Sequence, residues 1–373
     1  MFDFKLKTEI HMKTWNSFVN DFNLGPKDVL ITNRPIVQQC LQSGNLSCRM
    51  IYQEEYGGGG EPNDVMINSI IRDLKKVDYD RVIGIGGGTI IDLAKILSLS
   101  GFDNVLDVLY GRIPARRTRG LVVVPTTCGT GSEVTSISIL EDTTAHVKKG
   151  IVSPEIFPEH AVLIPELLKT APYKVLAYSS LDALTHAVES YLSPGSSVMT
   201  ELFAVKAMEM ILGVYCRIAK GNQAVLYEDN CIGKLLVAST YAGIAFSHSG
   251  VGAVHAMSYS LGGNYHVPHG ESNYALFDGV LRMYDKRNPT GKIACLKELI
   301  SRDMGLADGS DAIKEMNGVL NKIAPLKRLK EYGMKEAEIE TFADAAMLQE
   351  RLMKNNYTAL ARNDIRDIFA ELY

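Results

Sequence analysis

Apolar and polar positions follow two different rhythms along this chain. Up to about residue 175, short β-branched runs alternate with segments of helical period, the pattern of strands and helices building a parallel sheet. Val29-Leu30-Ile31-Thr32, Arg81 to Ile85 and Gly120 to Pro125 read as strands. Between the first two, Val65 to Lys76 carries apolar residues at 66, 67, 70, 71 and 74, the spacing of an amphipathic helix. The glycines Gly57 to Gly60, followed by Glu61-Pro62-Asn63, break the chain ahead of it. Beyond about residue 175 the β-branched runs give way to long Ala/Leu/Met-rich stretches, such as Met199 to Tyr215, Lys234 to Phe246 and Lys335 to Met353. These predict helices only. The expected fold class is therefore α/β followed by all-α, with an N-terminal domain over 1–174, a C-terminal helical domain over 175–373, and the boundary near Pro172-Tyr173-Lys174.

Composition narrows the functional classes. A chain of 373 residues with 46% hydrophobic and 22% charged residues has the ordinary balance of a globular protein with a large core. Its formal net charge of -4 offers no attraction to nucleic acid or to an acidic membrane, so a small molecule is the expected partner. The six cysteines, Cys40, Cys48, Cys128, Cys216, Cys231 and Cys295, form no CxxC pair and read as reduced thiols. No secretory leader and no apolar run long enough to span a bilayer is apparent, so a cytoplasmic location is expected.

Two turns carry candidate binding chemistry. Strand Arg81 to Ile85 runs into Gly86-Gly87-Gly88-Thr89 and then into a helix, Ile90 to Leu97. Glycines let backbone N–H groups approach an anion, and the helix start adds unpaired donors and a positive dipole end, so the turn is a candidate pyrophosphate cradle. It is not GxGxxG, because Thr89 stands three residues after Gly86. A second polar turn, Pro125 to Thr135, follows the next strand and interleaves Thr126, Thr127, Thr130, Ser132 and Thr135 with Gly129 and Gly131. Its hydroxyls suit a nucleotide. After the strand ending at Thr32, where a carboxylate would hold the adenosine ribose and repel a 2′-phosphate, the chain has Asn33, which permits NAD and leaves NADP open.

Asp182 and His186 stand four apart in a run of helix formers, and so share one face. One carboxylate and one imidazole are half of a metal site. The segment Ser247 to Gly270 holds four of the eight histidines, and His255 and His269 there would complete four N/O ligands. His255 is expected in a helix ending at Gly262-Gly263, with His269 in the turn beyond.

Taken in order, Gly86-Gly87-Gly88-Thr89-x-x-Asp92, the Pro125 to Glu133 turn, Asp182-Ala-Leu-Thr-His186-Ala-x-Glu189, and His255 with His269-Gly270 resemble the motif set of the iron-containing (group III) alcohol dehydrogenases. Ala242 to Ser247 and Leu261 to Tyr274 look most like the branch that acts on 4-hydroxybutyrate. The resemblance implies a dinucleotide domain of dehydroquinate-synthase-like type, a helical metal domain, and a cleft between them. It implies one divalent metal, Fe²⁺ ahead of Zn²⁺, on Asp182, His186, His255 and His269. Carried over by position, it also gives Gly87, Gly88 and Thr89 for the pyrophosphate, Asp92 of the same motif as a further cofactor-binding residue, Thr126, Thr127, Thr130 and Thr135 along the nucleotide, Lys148 near the ribose and Asn33 at the adenosine end. Where many relatives carry a further histidine for proton transfer, this chain has Tyr259, so either His266 or Tyr259 takes that part, with His266 placed first. The implied reaction moves a hydride between a nicotinamide cofactor and a short alcohol, with 4-hydroxybutyrate and succinate semialdehyde as the foremost pair and 1,3-propanediol or lactaldehyde as alternatives. A dinucleotide-binding sensor with a structural metal, and a Zn²⁺ lyase or cyclase that recycles its nicotinamide in place, are the rival readings. A homo-oligomer, most simply a dimer, is the expected assembly.

Overall fold

In a computed structural model, residues 3–40, 46–57, 62–228 and 230–373 are described. Glu61 and Gly58 to Gly60 lie outside the described residues, as does the side chain of Cys40. The chain forms two compact units, Lys5–Ala171 and, with Phe4, Pro172–Tyr373.

Among the described residues the first unit is built on eight strands: β1 (Glu9–Met12), β2 (Asp28–Thr32), β3 (Arg49–Tyr52), β4 (Arg81–Gly86), β5 (Gly120–Pro125), β6 (Ile137–Asp142), β7 (Val147–Val152) and β8 (His160–Leu163). Six form one sheet in the order β1-β8-β5-β4-β2-β3, every neighbouring pair parallel, and β6 and β7 make a separate antiparallel ribbon. The three strands expected from the sequence are the sheet's centre, where Val29 to Ile31, Val82 to Ile85 and Leu121 to Val124 are buried. The amphipathic helix runs Asp64–Leu74, and Asn63 caps it by accepting a hydrogen bond from the Met66 amide at 2.8 Å.

Register decides what the sheet presents at its C-terminal edge. Thr32 pairs with Ile85 and Gly86 pairs with Pro125, so Asn33, Gly87 and Thr126 leave three adjacent strands side by side. Open parallel sheets bind their ligands at that edge.

Among the described residues the second unit contains helices but no strand. Its longest well-buried element is the helix Tyr173–Leu192, buried at every position from Ser180 to Leu192. A helix covered all round belongs to a core, so each polar side chain on it must find partners inside the protein. Three expectations are corrected here. The His255 helix does not stop at Gly262-Gly263 but runs Ala253–Tyr265, closed by His266 in the left-handed region at φ 53°. His269 is consequently the first residue of the next helix, His269–Arg287, rather than a turn residue. The stretch Lys335 to Met353 is also broken: the helix Ile339–Met347 ends, Gln349 leaves helical backbone, and a short turn of helix follows over Glu350–Met353.

Candidate metal centre and nucleotide cradle

Within the helix Tyr173–Leu192, Asp182, His186 and Glu189 recur at intervals of four and three, one stripe along one face. All three are buried, Asp182 to 2% exposure, so their polarity is answered within the unit. His255 reaches them from the helix Ala253–Tyr265 and His269 from the first turn of the helix His269–Arg287. Gly270 permits that approach: a β-carbon there would run into the Tyr178 carbonyl oxygen and stand 3.2 Å from Asp182 Cβ.

One ligand atom from each of Asp182, His186, His255 and His269 lies within 4.8 Å of the other three. Asp182 Oδ2 is 3.9 Å from His186 Nδ1, and Asp182 Oδ1 is 3.7 Å from His269 Nε2. The His186 ring is stacked between Phe246, at 4.4 Å between centroids, and His255, at 4.7 Å. Burial alone would raise the Asp182 carboxyl, but His186, His269, His255 and the Asn273 amide outweigh it and hold it below the usual carboxylate value.

Two residues that the sequence reading did not assign complete the centre. Glu189 Oε2 sits 2.6 Å from His255 Nδ1, while its Oε1 accepts from the Val254 amide at 2.7 Å. The carboxylate places the imidazole proton on Nδ1 and leaves the Nε2 lone pair toward the cluster, the arrangement of a carboxylate, histidine and metal relay. Asn273, fully buried, donates from Nδ2 to Asp182 Oδ1 at 2.7 Å, with the same nitrogen 3.1 Å from His255 Nε2 and 3.2 Å from His269 Nε2. Its Oδ1 is buried without a hydrogen-bond partner. Three lone-pair atoms therefore converge on one N–H₂ group, beside an orphaned amide oxygen. Such a donor set fits a divalent cation. The side chain of His269 is 38% exposed whereas those of Asp182, His186 and His255 are buried, so the cluster opens to solvent on the His269 side. Both additional residues had a signal: Glu189 continues the Asp182 and His186 stripe, and Asn273 stands four after His269 on one helix.

The candidate nucleotide cradle lies wholly within the first unit. Gly87 precedes the helix Gly88–Leu97, whose first amides have no intrahelical acceptor. Gly87 and Gly88 face the second turn directly: a β-carbon at Gly88 would stand 2.8 Å from Thr130 Cγ2, and one at Gly87 would stand 3.4 Å from Thr127 Cγ2. The Thr126 amide donates to the Gly86 carbonyl at 2.9 Å. Gly87, Gly88, Thr89, Thr127 and Thr130 stay part-exposed, as an anion site requires, while Thr126 is buried. Asp92 and Thr135 face inward. Asp92 accepts from Ser132 Oγ at 2.5 Å and the Ile139 amide at 2.8 Å, and Thr135 Oγ1 accepts from Lys95 Nζ at 3.0 Å. Lys95, wholly buried, also donates to Ser132 Oγ and to the Ile137 carbonyl, each at 2.7 Å. These three side chains brace the second turn from beneath. Asn33 donates to Gln53 Oε1 at 2.9 Å, and Lys148 lies exposed on β7 opposite Glu141.

The two proton-transfer candidates are placed differently. Tyr259 packs with Phe246, the ring that stacks on His186, against Val251, Ala256 and Leu352. His266 is exposed at the helix end. His248, stacked on Phe4 at 4.4 Å, and Tyr265, bonded to Glu338, are engaged elsewhere.

A parallel-sheet unit with a glycine cradle at its strand ends, and a helical unit enclosing an Asp-His₃ cluster, define a metal-dependent, dinucleotide-binding oxidoreductase. Residues 17–165 match the family Iron-containing alcohol dehydrogenase, and residues 176–373 match Fe-containing alcohol dehydrogenase family, C-terminal. The chain belongs to the iron-containing alcohol dehydrogenase family. It is 45% identical to the 4-hydroxybutyrate dehydrogenase of Clostridium kluyveri over 99% of both chains. It is 32% identical to long-chain-alcohol dehydrogenase 1 of Geobacillus thermodenitrificans, over 78% of this chain and 74% of that one. The fold matches that of sulfoacetaldehyde reductase from Bifidobacterium kashiwanohense, solved in complex with NAD+, with a TM-score of 0.86 at 20% identity over 100% and 98% of the two chains. It also matches a 1,3-propanediol oxidoreductase with a TM-score of 0.84 at 23% identity over the whole of both chains. Five described cysteines are free thiols, and no helix among the described residues is long and apolar enough to cross a membrane.

Proposed function

We propose that this protein interconverts 4-hydroxybutyrate and succinate semialdehyde with NAD. The observation that carries the reading is the 45% identity to 4-hydroxybutyrate dehydrogenase over 99% of both chains, against under 25% for the solved structures compared. Asp182, His186, His255 and His269 would hold one divalent cation, Fe²⁺ in keeping with the family, and Gly87, Gly88 and Thr89 the cofactor pyrophosphate. When bound, the cation lowers the pKa of an alcohol hydroxyl and polarises a carbonyl, and the nicotinamide takes up or returns the hydride.

The chain's own residues prepare that chemistry. Glu189 fixes the His255 tautomer, Asp182 brings the negative charge that a dication requires, and the partial exposure of His269 leaves an approach for substrate. Thr126, Thr127 and Thr130 offer hydroxyls beside the glycine turn, Asp92 and Thr135 hold that loop in shape, Lys148 serves the ribose, and Asn33 the adenosine end. For the proton we place Tyr259 ahead of His266, because Tyr259 packs on the same buried cluster as Phe246, the ring stacked on His186, whereas His266 is exposed at the helix end. The domains divide near residue 174, and the working form is a cytoplasmic homodimer without nucleic-acid or membrane partners.

The test is a steady-state screen of protein reconstituted separately with Fe²⁺ and Zn²⁺, offered NAD or NADP with 4-hydroxybutyrate, 1,3-propanediol and lactaldehyde's alcohol. Fastest NAD turnover on 4-hydroxybutyrate is the expected outcome. High turnover on the other alcohols without it overturns the substrate, and dinucleotide binding without turnover under either metal overturns the enzyme reading in favour of a sensor.

A further inference from the structure

A second group of ligating side chains lies in the first unit, on the two strands at one edge of the sheet. Glu9 and His11 alternate onto the same face of β1, and His160 opens β8 as the register partner of Glu9. His11 Nε2 is 3.1 Å from His160 Nδ1, and Glu9 Oε2 is 3.8 Å from the former and 3.5 Å from the latter. Those three separations fix a point about 2.0 Å from each atom, inside the usual range for a Zn²⁺ bound by imidazole nitrogen and carboxylate oxygen. In the Asp182 cluster the spacing is comparable, although there the two carboxylate oxygens each face one imidazole nitrogen, at 3.7 and 3.9 Å.

A simple hydrogen bond between the two imidazoles accounts for their 3.1 Å contact but not for the carboxylate. At 3.5 and 3.8 Å, Glu9 is too far for a good hydrogen bond to either nitrogen, yet it faces both. The rings are held in advance of any ligand. The Phe22 ring meets His11 edge-on at 5.5 Å and His160 edge-on at 5.3 Å. Lys13, the nearest cation along β1, is itself paired with Asp21 at 2.6 Å. Glu9 is 71% exposed and the two imidazoles about a third, so an ion has access and its remaining positions face water.

From this geometry we infer that Glu9, His11 and His160 form a second divalent-metal site, separate from the Asp-His₃ centre and selective for imidazole-seeking ions such as Zn²⁺, Ni²⁺ or Cu²⁺ over Mg²⁺ or Ca²⁺. None of the three residues belongs to the cofactor cradle or the catalytic metal cluster.

The experiment titrates ZnCl₂ into the iron-loaded protein by calorimetry, with zinc and iron content measured after desalting. Wild type takes up one further zinc per chain while keeping its iron. His11→Gln and His160→Gln each weaken that uptake at least tenfold, leave iron content and alcohol turnover unchanged, and keep the far-UV spectrum. Absence of the additional zinc, or uptake equally strong in both variants, overturns the site. A Cu²⁺ spectrum supplies the second readout: imidazole nitrogen couplings present in wild type and lost in both variants support the assignment, and couplings that persist overturn it.

Discussion

Glu189 Oε2 and His255 Nδ1 stand 2.6 Å apart inside the helical unit, a buried carboxylate orienting a buried imidazole. The pair settles which nitrogen of His255 can ligate, and a metal-bound histidine without such a partner loses both its tautomer and part of its basicity. Glu189→Gln should therefore lower metal affinity by roughly 10- to 100-fold while leaving the fold intact. Competition with a chromophoric chelator measures it, and an unchanged affinity would show that His255 does not rely on Glu189.

Gly88 makes a comparable test of the cradle. An added methyl would stand 2.8 Å from Thr130 Cγ2 and 3.1 Å from its Oγ1, so the Thr130 side chain must shift from its place beside the glycine turn. Gly88→Ala is expected to raise the KM for NAD by at least tenfold while metal content stays at the wild-type level. Unchanged cofactor kinetics would place the dinucleotide elsewhere.

What could be read from the sequence follows from how each element is buried. β2, β4 and β5 are covered on both faces and spell apolar runs, so their place and the two turns after them were legible. β1 reads Glu-Ile-His-Met, and β7 begins with three exposed positions, so their sequences do not show the pattern of a buried strand. The four residues that the structure brings together as an Asp-His₃ cluster are legible through helical spacing and the family motifs, whereas Glu189 and Asn273 belong to the same stripes but were not assigned. Gly262-Gly263 looked like a helix stop because glycine is a poor helix former, yet the helix runs on until His266 closes it.

Gly270 links packing to the metal site. Its missing side chain lets the helix His269–Arg287 start against the Tyr178 carbonyl. Gly270→Ala should cost about 1–3 kcal/mol as an overpacked contact, and should reduce metal occupancy by displacing His269. Chemical denaturation of the metal-free protein isolates the first effect and metal analysis the second. Full occupancy together with wild-type stability would show that the contact relaxes freely.

Lys95 predicts an unusual pH dependence. Wholly buried beneath the second turn, its ammonium is disfavoured by loss of water, and although Asp92 and Glu133 pull the other way, its pKa is lowered to about 8. Unfolded, the same amine titrates at its ordinary value of 10.5. Between about pH 8 and 10.5 the unfolded chain thus binds a proton that the folded chain has released, so this group makes stability rise with pH across that window. Below it, the buried charge weighs against folding by up to about 3 kcal/mol. Lys95→Met removes the titration, although it also leaves Ser132, Thr135 and the Ile137 carbonyl without their donor. The difference in unfolding free energy between wild type and Lys95→Met should therefore shift in favour of wild type as pH rises through that window. Urea denaturation of both proteins across the range measures it, and a difference that stays flat would mean that the buried amine has the same affinity for its proton folded and unfolded.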